Sequence, residues 1–297
     1  MSVTEARDED ARLCFVFVCQ QGDLETKALL LAASLRRSLP SRHELVAAIP
    51  TPASRWGSPS PATLAILRRL SVRTVEIVNR VSPDYPIGNK IDCLAIETSC
   101  RRLVFLDSDM LLLRPIEIAP LTAAPLAAVP ASGAHVGLDD WARFYRACGL
   151  PPPSVLTRTL LSGELTPPYF NSGFVSVDGA LAPALSDEWS ACAARLLADD
   201  DLPRTVRQRF LDQITLPIAA ARLGIDIGPL LPEWNFPSWG MRIGDGALPA
   251  FFHYQRPVRL LRETATNAMF RSLLSSDSEL AEAISRTFAA TAEGGTA

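Results

Sequence analysis

The stretch VFLDSDMLLLRP, residues 104–115, places two carboxylates directly after an apolar run. Asp107 and Asp109 are one residue apart, and at the end of a strand this spacing puts both side chains on one side of the chain. Two such carboxylates form half of a site for a hard divalent cation, and Mg²⁺ or Mn²⁺ would take its remaining ligands from water and substrate phosphates. The same residues also fit an acidic turn in which an Asp side chain caps the following backbone. The stretch therefore predicts a strand that ends at an acidic turn, with a metal site as one of two interpretations.

Toward the N-terminus, short apolar runs alternate with helical patterns. The predicted strands are at 13–19, 45–49, 72–78 and from 102 to the acidic pair, and the predicted helices are at 24–38, 62–70 and 89–99. This alternation predicts an α/β fold with a mainly parallel, Rossmann-like sheet flanked by helices. Ligands of such sheets bind beyond the carboxyl ends of the strands, where the loop 20–23 and the acidic pair both lie.

The C-terminal half is less regular. Its pattern predicts strands at 171–177 and 250–254, and helices at 139–148, 186–198 and 204–223. Pro217 should bend or break the last of these helices, because proline cannot donate a helical hydrogen bond. The sequence shows no internal repeat and no long linker, so it predicts a single domain.

Composition and charge exclude several classes of protein. The 297 residues are 48% hydrophobic and 21% charged, with a formal net charge of -3 and no basic run, which argues against nucleic acid as a partner. The six cysteines form no CxxC pair, so we expect buried thiols in a reducing compartment. The acidic N-terminus does not resemble a signal peptide, and the apolar runs are too short for a transmembrane segment. The prediction is a cytoplasmic protein.

Five motifs in a fixed order carry a resemblance to a known family. VFLDSDMLLLRP, YFNSGFVSVD, LDQITL, LPEWNF and FFHYQRP occur in the order seen in glycosyltransferase family 8, which includes glycogenin and bacterial lipopolysaccharide galactosyltransferases. The resemblance implies a GT-A type fold over residues 12–262, with a nucleotide-binding half at about 12–115 and an acceptor half at about 116–262. Residues 263–297 would be a helical tail with a disordered end.

The resemblance also implies a metal site. Asp107, Asp109 and His253 match the ligands of Mn²⁺ or Mg²⁺ in that family, and Asp107 would also contact the nucleotide ribose. Taken without the family, His253 ends an apolar strand, where a histidine is often a hydrogen-bonded core residue.

Further matching positions imply a site for the donor and its sugar. Lys90 and Ser172 match donor-binding residues, whereas Asn171, Asp212 and Gln213 match the residues that surround the reacting sugar. Each also has an ordinary structural interpretation: an exposed lysine at a helix start, a polar strand start, and the solvated face of a helix.

Two positions depart from the family pattern. Gln20 stands in the first loop where the family has Thr or Asp, so it becomes the candidate for contacting the base. The Gly and Lys that follow the histidine in the family are missing, so Arg256 or Arg259 would have to bind the diphosphate.

These observations predict a metal-dependent hexosyltransferase-like enzyme. It would transfer a sugar from a nucleotide-diphosphate donor, with a UDP-sugar favoured, to a hydroxyl of a glycan or small-molecule acceptor. The resemblance to the family implies retention of configuration. The loop 150–168 would face the acceptor as a lid. The alternatives are a haloacid-dehalogenase-like phosphatase that uses the DxD, and a catalytically silent module that binds a nucleotide sugar.

Overall fold

The structure, a computed structural model, describes residues 12–202, 206, 209–244 and 246–293. The chain divides into two compact units that are each assembled from separate stretches of sequence. The first unit is drawn from Met1–Leu13, Val78–Phe105 and Ile118–Pro232, and the second from Cys14–Ile77, Leu106–Glu117 and Glu233–Ala297. The predicted disordered end of the tail lies outside the described residues from 294 onward.

Strands and helices alternate over the first part of the chain, and the last three elements are helices. The strands are β1 (Leu13–Val18), β2 (Glu44–Thr51), β3 (Val72–Val78), β4 (Arg102–Leu106), β5 (Met110–Leu112), β6 (Leu126–Pro130), β7 (Thr157–Arg158), β8 (Leu165–Thr166), β9 (Phe170–Asp178), β10 (Ile227–Pro229), β11 (Phe236–Pro237) and β12 (Phe251–His253). The helices are α1 (Asp23–Ser38), α2 (Ala53–Trp56), α3 (Pro61–Arg69), α4 (Gly88–Asp92), α5 (Ala119–Thr122), α6 (Leu138–Ala147), α7 (Ala182–Leu197), α8 (Leu211–Arg222), α9 (Val258–Arg262), α10 (Thr264–Ser276) and α11 (Ser278–Glu293).

The second unit contains the strands β1, β2 and β3 of the main sheet, in that order. β1 and β2 are parallel, with Phe15 opposite Leu45. All six residues of β1 are buried, as the continuous apolar run predicts for a strand covered on both faces. The same unit holds a smaller sheet in the order β11-β12-β5, in which β12 is antiparallel to β5.

The first unit contains the strands β10, β6, β9 and β4 of the main sheet, in that order. β10 is parallel to β6, whereas β9 is antiparallel to it. The buried guanidinium of Arg102 fastens β4 to β9, because Nε donates to Ser176 Oγ at 2.8 Å and Nη1 donates to Asp178 Oδ1 at 2.6 Å. The main sheet has seven described strands and is mostly parallel, which confirms the predicted α/β class.

Two predicted helices differ from the structure. The helix expected at 89–99 ends at Asp92 and continues only as a 3-10 turn to Ala95. The Thr98 hydroxyl accepts the backbone N–H of Cys100 at 3.1 Å, a local bond that competes with helix formation. The helix expected to bend or break near Pro217 does not break there, because one helix runs from Leu211 to Arg222 with Pro217 inside it. Part of its predicted start, at 203–205 and 207–208, lies outside the described residues.

The expectations about thiols and membrane segments can also be compared with the structure. All six cysteines are buried and none is in a disulfide. Among the described helices, none combines the length and the apolar character that crossing a bilayer requires.

Candidate functional site

Asp107 and Asp109 lie in the short turn between β4 and β5. Ser108 between them is buried, and its hydroxyl donates to the carbonyl oxygen of Val18 at 2.5 Å, which fixes the turn against the end of β1. The two carboxylates stay partly accessible, with 22% and 21% of their side chains exposed. The turn therefore presents both carboxylates to a ligand.

His253 reaches this turn through the small antiparallel sheet. It ends β12 opposite Met110, the first residue of β5, and the backbone N–H of Tyr254 donates to the carbonyl of Asp109 at 3.0 Å. Its Nε2 lies 3.0 Å from Asp109 Oδ1 and 4.0 Å from Asp107 Oδ2. Strand pairing thus places an imidazole beside the acidic pair.

Asn235 orients this imidazole. Its Oδ1 lies 2.9 Å from His253 Nδ1, and because an amide oxygen only accepts, Nδ1 is the donor of this hydrogen bond. Nε2 is then the ring nitrogen that faces the carboxylates, which is the arrangement found behind metal-bound histidines. Trp239 packs edge-on against the ring, with centroids 5.2 Å apart.

The donor set fits a divalent cation. Asp107, Asp109 and His253 each offer one ligand atom, and these atoms lie within 4.8 Å of one another. Two carboxylates and an imidazole suit Mn²⁺ and also Mg²⁺, with the imidazole favouring Mn²⁺. The three residues predicted as metal ligands are therefore brought together by the fold and could hold a divalent metal.

A second polar cluster surrounds Asp212 in the first unit. This side chain, which is only 3% exposed, accepts a hydrogen bond from Lys90 Nζ at 3.0 Å and a short one from the Ser172 hydroxyl. Lys90 Nζ also lies 3.3 Å from Ser172 Oγ and 5.8 Å from the centroid of the Phe105 ring. Three of the residues predicted for the donor and its sugar thus form one hydrogen-bonded group.

Tyr85 and Trp189 also form hydrogen bonds with Asp212, and the sequence predicted a role for neither of them. The Tyr85 hydroxyl donates to Asp212 Oδ1 at 3.3 Å and accepts the Asp212 backbone N–H at 3.2 Å. Trp189 Nε1 donates to the Asp212 carbonyl at 3.0 Å. Burial, and secondarily the charge of Asp212, raises the pKa of Tyr85, so its hydroxyl remains a donor.

Asn79 keeps Tyr85 in place. Its Oδ1 accepts the backbone N–H groups of Val81 and Ser82 at 3.0 and 3.1 Å, and its Nδ2 donates to the Tyr85 carbonyl at 2.9 Å. These bonds close the loop after β3. No sequence pattern near residue 85 signalled this role, because the partner of Tyr85 is far away along the chain.

Four further residues were predicted to bind the donor or its sugar, and they lie on different elements: Asn171, Gln213, Gln20 and Arg256. Asn171 begins the polar part of β9, and its Oδ1 accepts the Gly173 N–H at 2.9 Å. Gln213 follows Asp212 in α8 and is half-buried, Gln20 is half-buried directly beyond β1, and Arg256 is exposed after β12. The roles predicted for these four residues stay predictions.

Fold and site together define an α/β protein with an Asp-Asp-His group that could hold a divalent metal. The chain belongs to the Rhodobacterales glycosyltransferase domain family, whose model matches residues 15–224. The match includes the acidic pair and the Asp212 cluster, and it ends before Asn235 and His253. No curated protein matches the chain. Membership of glycosyltransferase family 8 stays a prediction.

Proposed function

We propose that the chain is a metal-dependent glycosyltransferase that moves a sugar from a nucleotide-diphosphate donor to a hydroxyl acceptor. The observation that carries this proposal is the group Asp107, Asp109 and His253 in a member of a glycosyltransferase family. A nucleotide diphosphate is a leaving group on which negative charge grows as the sugar departs, so it needs positive charge beside its oxygens. The proposed transferase domain spans residues 12–262, and its proposed donor is a UDP-sugar.

Asp107, Asp109 and His253 would hold Mn²⁺ or Mg²⁺, which when bound neutralises charge on the diphosphate as a Lewis acid. Arg256 and Lys90 would add positive charge at the phosphates. Asp107 would also bind the ribose, and Gln20 the base.

Asp212, Gln213, Asn171 and Ser172 would orient the transferred sugar. The Asp212 carboxylate is held at both oxygens, since Tyr85 donates to Oδ1 and Lys90 and Ser172 donate to Oδ2. A carboxylate fixed in this way can stabilise the positive charge that develops at an anomeric carbon without having to reorient. We propose retention of configuration, in line with the resemblance.

The test is the thermal stability of the full chain with UDP, GDP, CDP or dTDP, each with and without Mn²⁺. A ligand at about a hundred times its Kd stabilises by about 2.7 kcal/mol, which moves the unfolding midpoint by a few degrees. One nucleotide, expected to be UDP, should give a shift that depends on Mn²⁺. Asp109→Asn should abolish this shift, whereas Asp139→Asn, a matched change at an exposed aspartate in the first turn of α6, should preserve it.

Donor turnover, measured as release of the nucleotide diphosphate from the matching UDP-sugar, completes the test. A Mn²⁺-dependent shift without turnover would make the chain a silent nucleotide-sugar binding module. No shift with any nucleotide, combined with hydrolysis of simple phosphate esters, would replace the transferase by a phosphatase.

A further inference from the structure

We propose that an aromatic pair next to Asp212, His135 and Phe210, is the platform on which a saccharide acceptor stacks. The two rings are nearly parallel, with centroids 4.1 Å apart and an interplanar angle of 13°. His135 is exposed and Phe210 is half-buried, so the stack extends from the core to the surface of the first unit. The inference rests on the proposed function and names the chemical class of its acceptor.

Two buried aromatic rings, those of Tyr169 and Trp141, continue the packing from His135 into the core. The Tyr169 ring meets His135 edge-on, with centroids 6.4 Å apart, and Trp141 meets Tyr169 in the same way at 5.3 Å. Tyr169 and Trp141 are both 1% exposed. The surface rings are therefore backed by a rigid aromatic layer, which lowers the entropy lost when a ligand stacks on them.

The platform adjoins the Asp212 cluster on two elements. Phe210 precedes α8, accepts the N–H of Ile214 at 2.9 Å, and lies two residues before Asp212. Tyr169 precedes β9, whose Ser172 donates to the Asp212 carboxylate. Burial, and secondarily the charge of Asp212, raises the pKa of Tyr169, so the aromatic layer next to His135 lies within electrostatic reach of the Asp212 cluster.

The hairpin β7–β8 fixes the loop that carries His135. The N–H groups of Leu160 and Leu161 donate to the carbonyls of Ala131 and Ser132 at 2.7 and 2.9 Å. The Ala134 N–H donates to the Glu164 carboxylate at 3.3 Å. This hairpin belongs to the predicted acceptor-facing loop 150–168, and Glu164 supplies an exposed carboxylate that can accept from sugar hydroxyls.

The chemistry of the surface suits a sugar ring. A pyranose has one face of C–H groups with partial positive charge, and the face of an aromatic ring is electronegative, so the two attract while apolar area is buried. Burial lowers the pKa of His135 despite the opposing effect of Glu164, which favours a neutral imidazole at neutral pH. The hydroxyl groups at the edge of the sugar would donate hydrogen bonds to the carboxylate of Glu164.

The first measurement is saturation-transfer NMR of the full chain with methyl glycosides of glucose, galactose and mannose as probes. At least one glycoside should bind, with the strongest transfer to the C–H protons of one ring face. His135→Ala and Phe210→Leu should each raise its Kd by about fivefold to tenfold, as expected for losing an aromatic contact. His135→Phe should bind the glycoside within about twofold of the unmodified chain, and Leu223→Ala, at an exposed apolar residue of the same unit, is the matched control.

The Mn²⁺-dependent nucleotide shift is measured on the same variants. His135→Ala should leave it unchanged, because the platform is assigned to the acceptor and not to the base. The proposal is overturned if no glycoside binds, if all variants bind glycosides equally, or if His135→Ala weakens the nucleotide and not the glycoside. Failure of the nucleotide shift in the unmodified chain would instead count against the proposed transferase function, while glycoside binding would still decide the platform.

Discussion

The orientation of His253 and of Asp212 depends on the hydrogen bonds that each side chain forms with its neighbours. The imidazole of His253 faces two carboxylates because Asn235 accepts its Nδ1 proton, and the carboxylate of Asp212 is fixed because three donors reach it. A buried carboxylate or imidazole without such partners would cost several kcal/mol to desolvate or would turn away. The supporting residues are therefore as informative to mutate as the residues they support.

Asn235→Leu should weaken Mn²⁺ binding. Without the amide oxygen, His253 loses the bond that selects its tautomer and ring orientation, and changes of this kind reduce metal affinity roughly 10- to 100-fold. Isothermal titration with Mn²⁺ measures the effect. Asn267→Leu, at a half-buried asparagine of α10 in the same unit, is the control, and equal affinities for both variants would show that Asn235 does not orient a metal ligand.

Tyr85→Phe should lower both stability and transfer. The Asp212 carboxylate loses one donor and the Asp212 N–H loses its acceptor, which we expect to cost about 1–3 kcal/mol in the free energy of unfolding. Urea unfolding measures the cost. The comparison is Tyr169→Phe, which removes a buried hydroxyl that has no hydrogen-bond partner among the described residues and should cost little or nothing.

Activity separates a positioning role of Tyr85 from a purely structural one. At a temperature where Tyr85→Phe is fully folded, kcat for sugar transfer should fall while the Mn²⁺-dependent nucleotide shift persists. An unchanged kcat would confine Tyr85 to holding the loop after β3.

At the scale of elements, the pairing of β12 with β5 assembles the candidate metal centre. The pairing matches Phe251, Phe252 and His253 with Leu112, Leu111 and Met110, and all six residues are buried. The other strand edge is also occupied, because the Leu112 N–H donates to the Ser34 hydroxyl of α1 at 3.1 Å. The small sheet is therefore tied both to the acidic turn and to the first helix.

Ser34→Ala should destabilise the second unit. The Leu112 N–H would remain buried without its acceptor, at a cost of about 1–3 kcal/mol. Ser275→Ala is a matched change, because the Ser275 hydroxyl also donates three residues back along its helix but is exposed, and it should stay within about 0.5 kcal/mol of the unmodified chain. Chemical unfolding of both variants checks the difference, and equal stabilities would mean that water replaces the lost acceptor.

At the scale of the whole molecule, each unit carries one of the two polar clusters. The Asp-Asp-His group belongs to the second unit and the Asp212 cluster to the first. Both clusters lie in a chain whose six thiols are all buried, so none of these thiols is presented to solvent as a nucleophile.

The native protein should therefore react with no more than a trace of Ellman's reagent at neutral pH, and all six thiols should react after unfolding in guanidinium chloride. Burial, with a smaller effect of Glu25, raises the pKa of Cys19 to about 12, which removes its reactive thiolate. Rapid labelling of one or more thiols in the native protein would contradict the buried arrangement.

The sequence by itself determined the local elements and the acidic turn. The apolar runs of β1 and β2 and the helical period of α1 are statements about neighbouring residues, and the structure places these elements within a few residues of their predicted bounds. The grouping of Asp107, Asp109 and His253 was predicted through the order of the motifs. The helix at 89–99 was predicted too long, since the Thr98 hydroxyl offers a competing bond that periodicity does not register.

Only the tertiary structure decided which distant residues form hydrogen bonds with His253 and with Asp212. Asn235 behind His253, and Tyr85 and Trp189 behind Asp212, depend on strand register and on how loops close. One residue of register shift would turn His253 to the other face of its strand, and no local pattern specifies that register. Hydrophobic periodicity is a short-range property of the chain, whereas these hydrogen bonds join residues that only the packed core brings together.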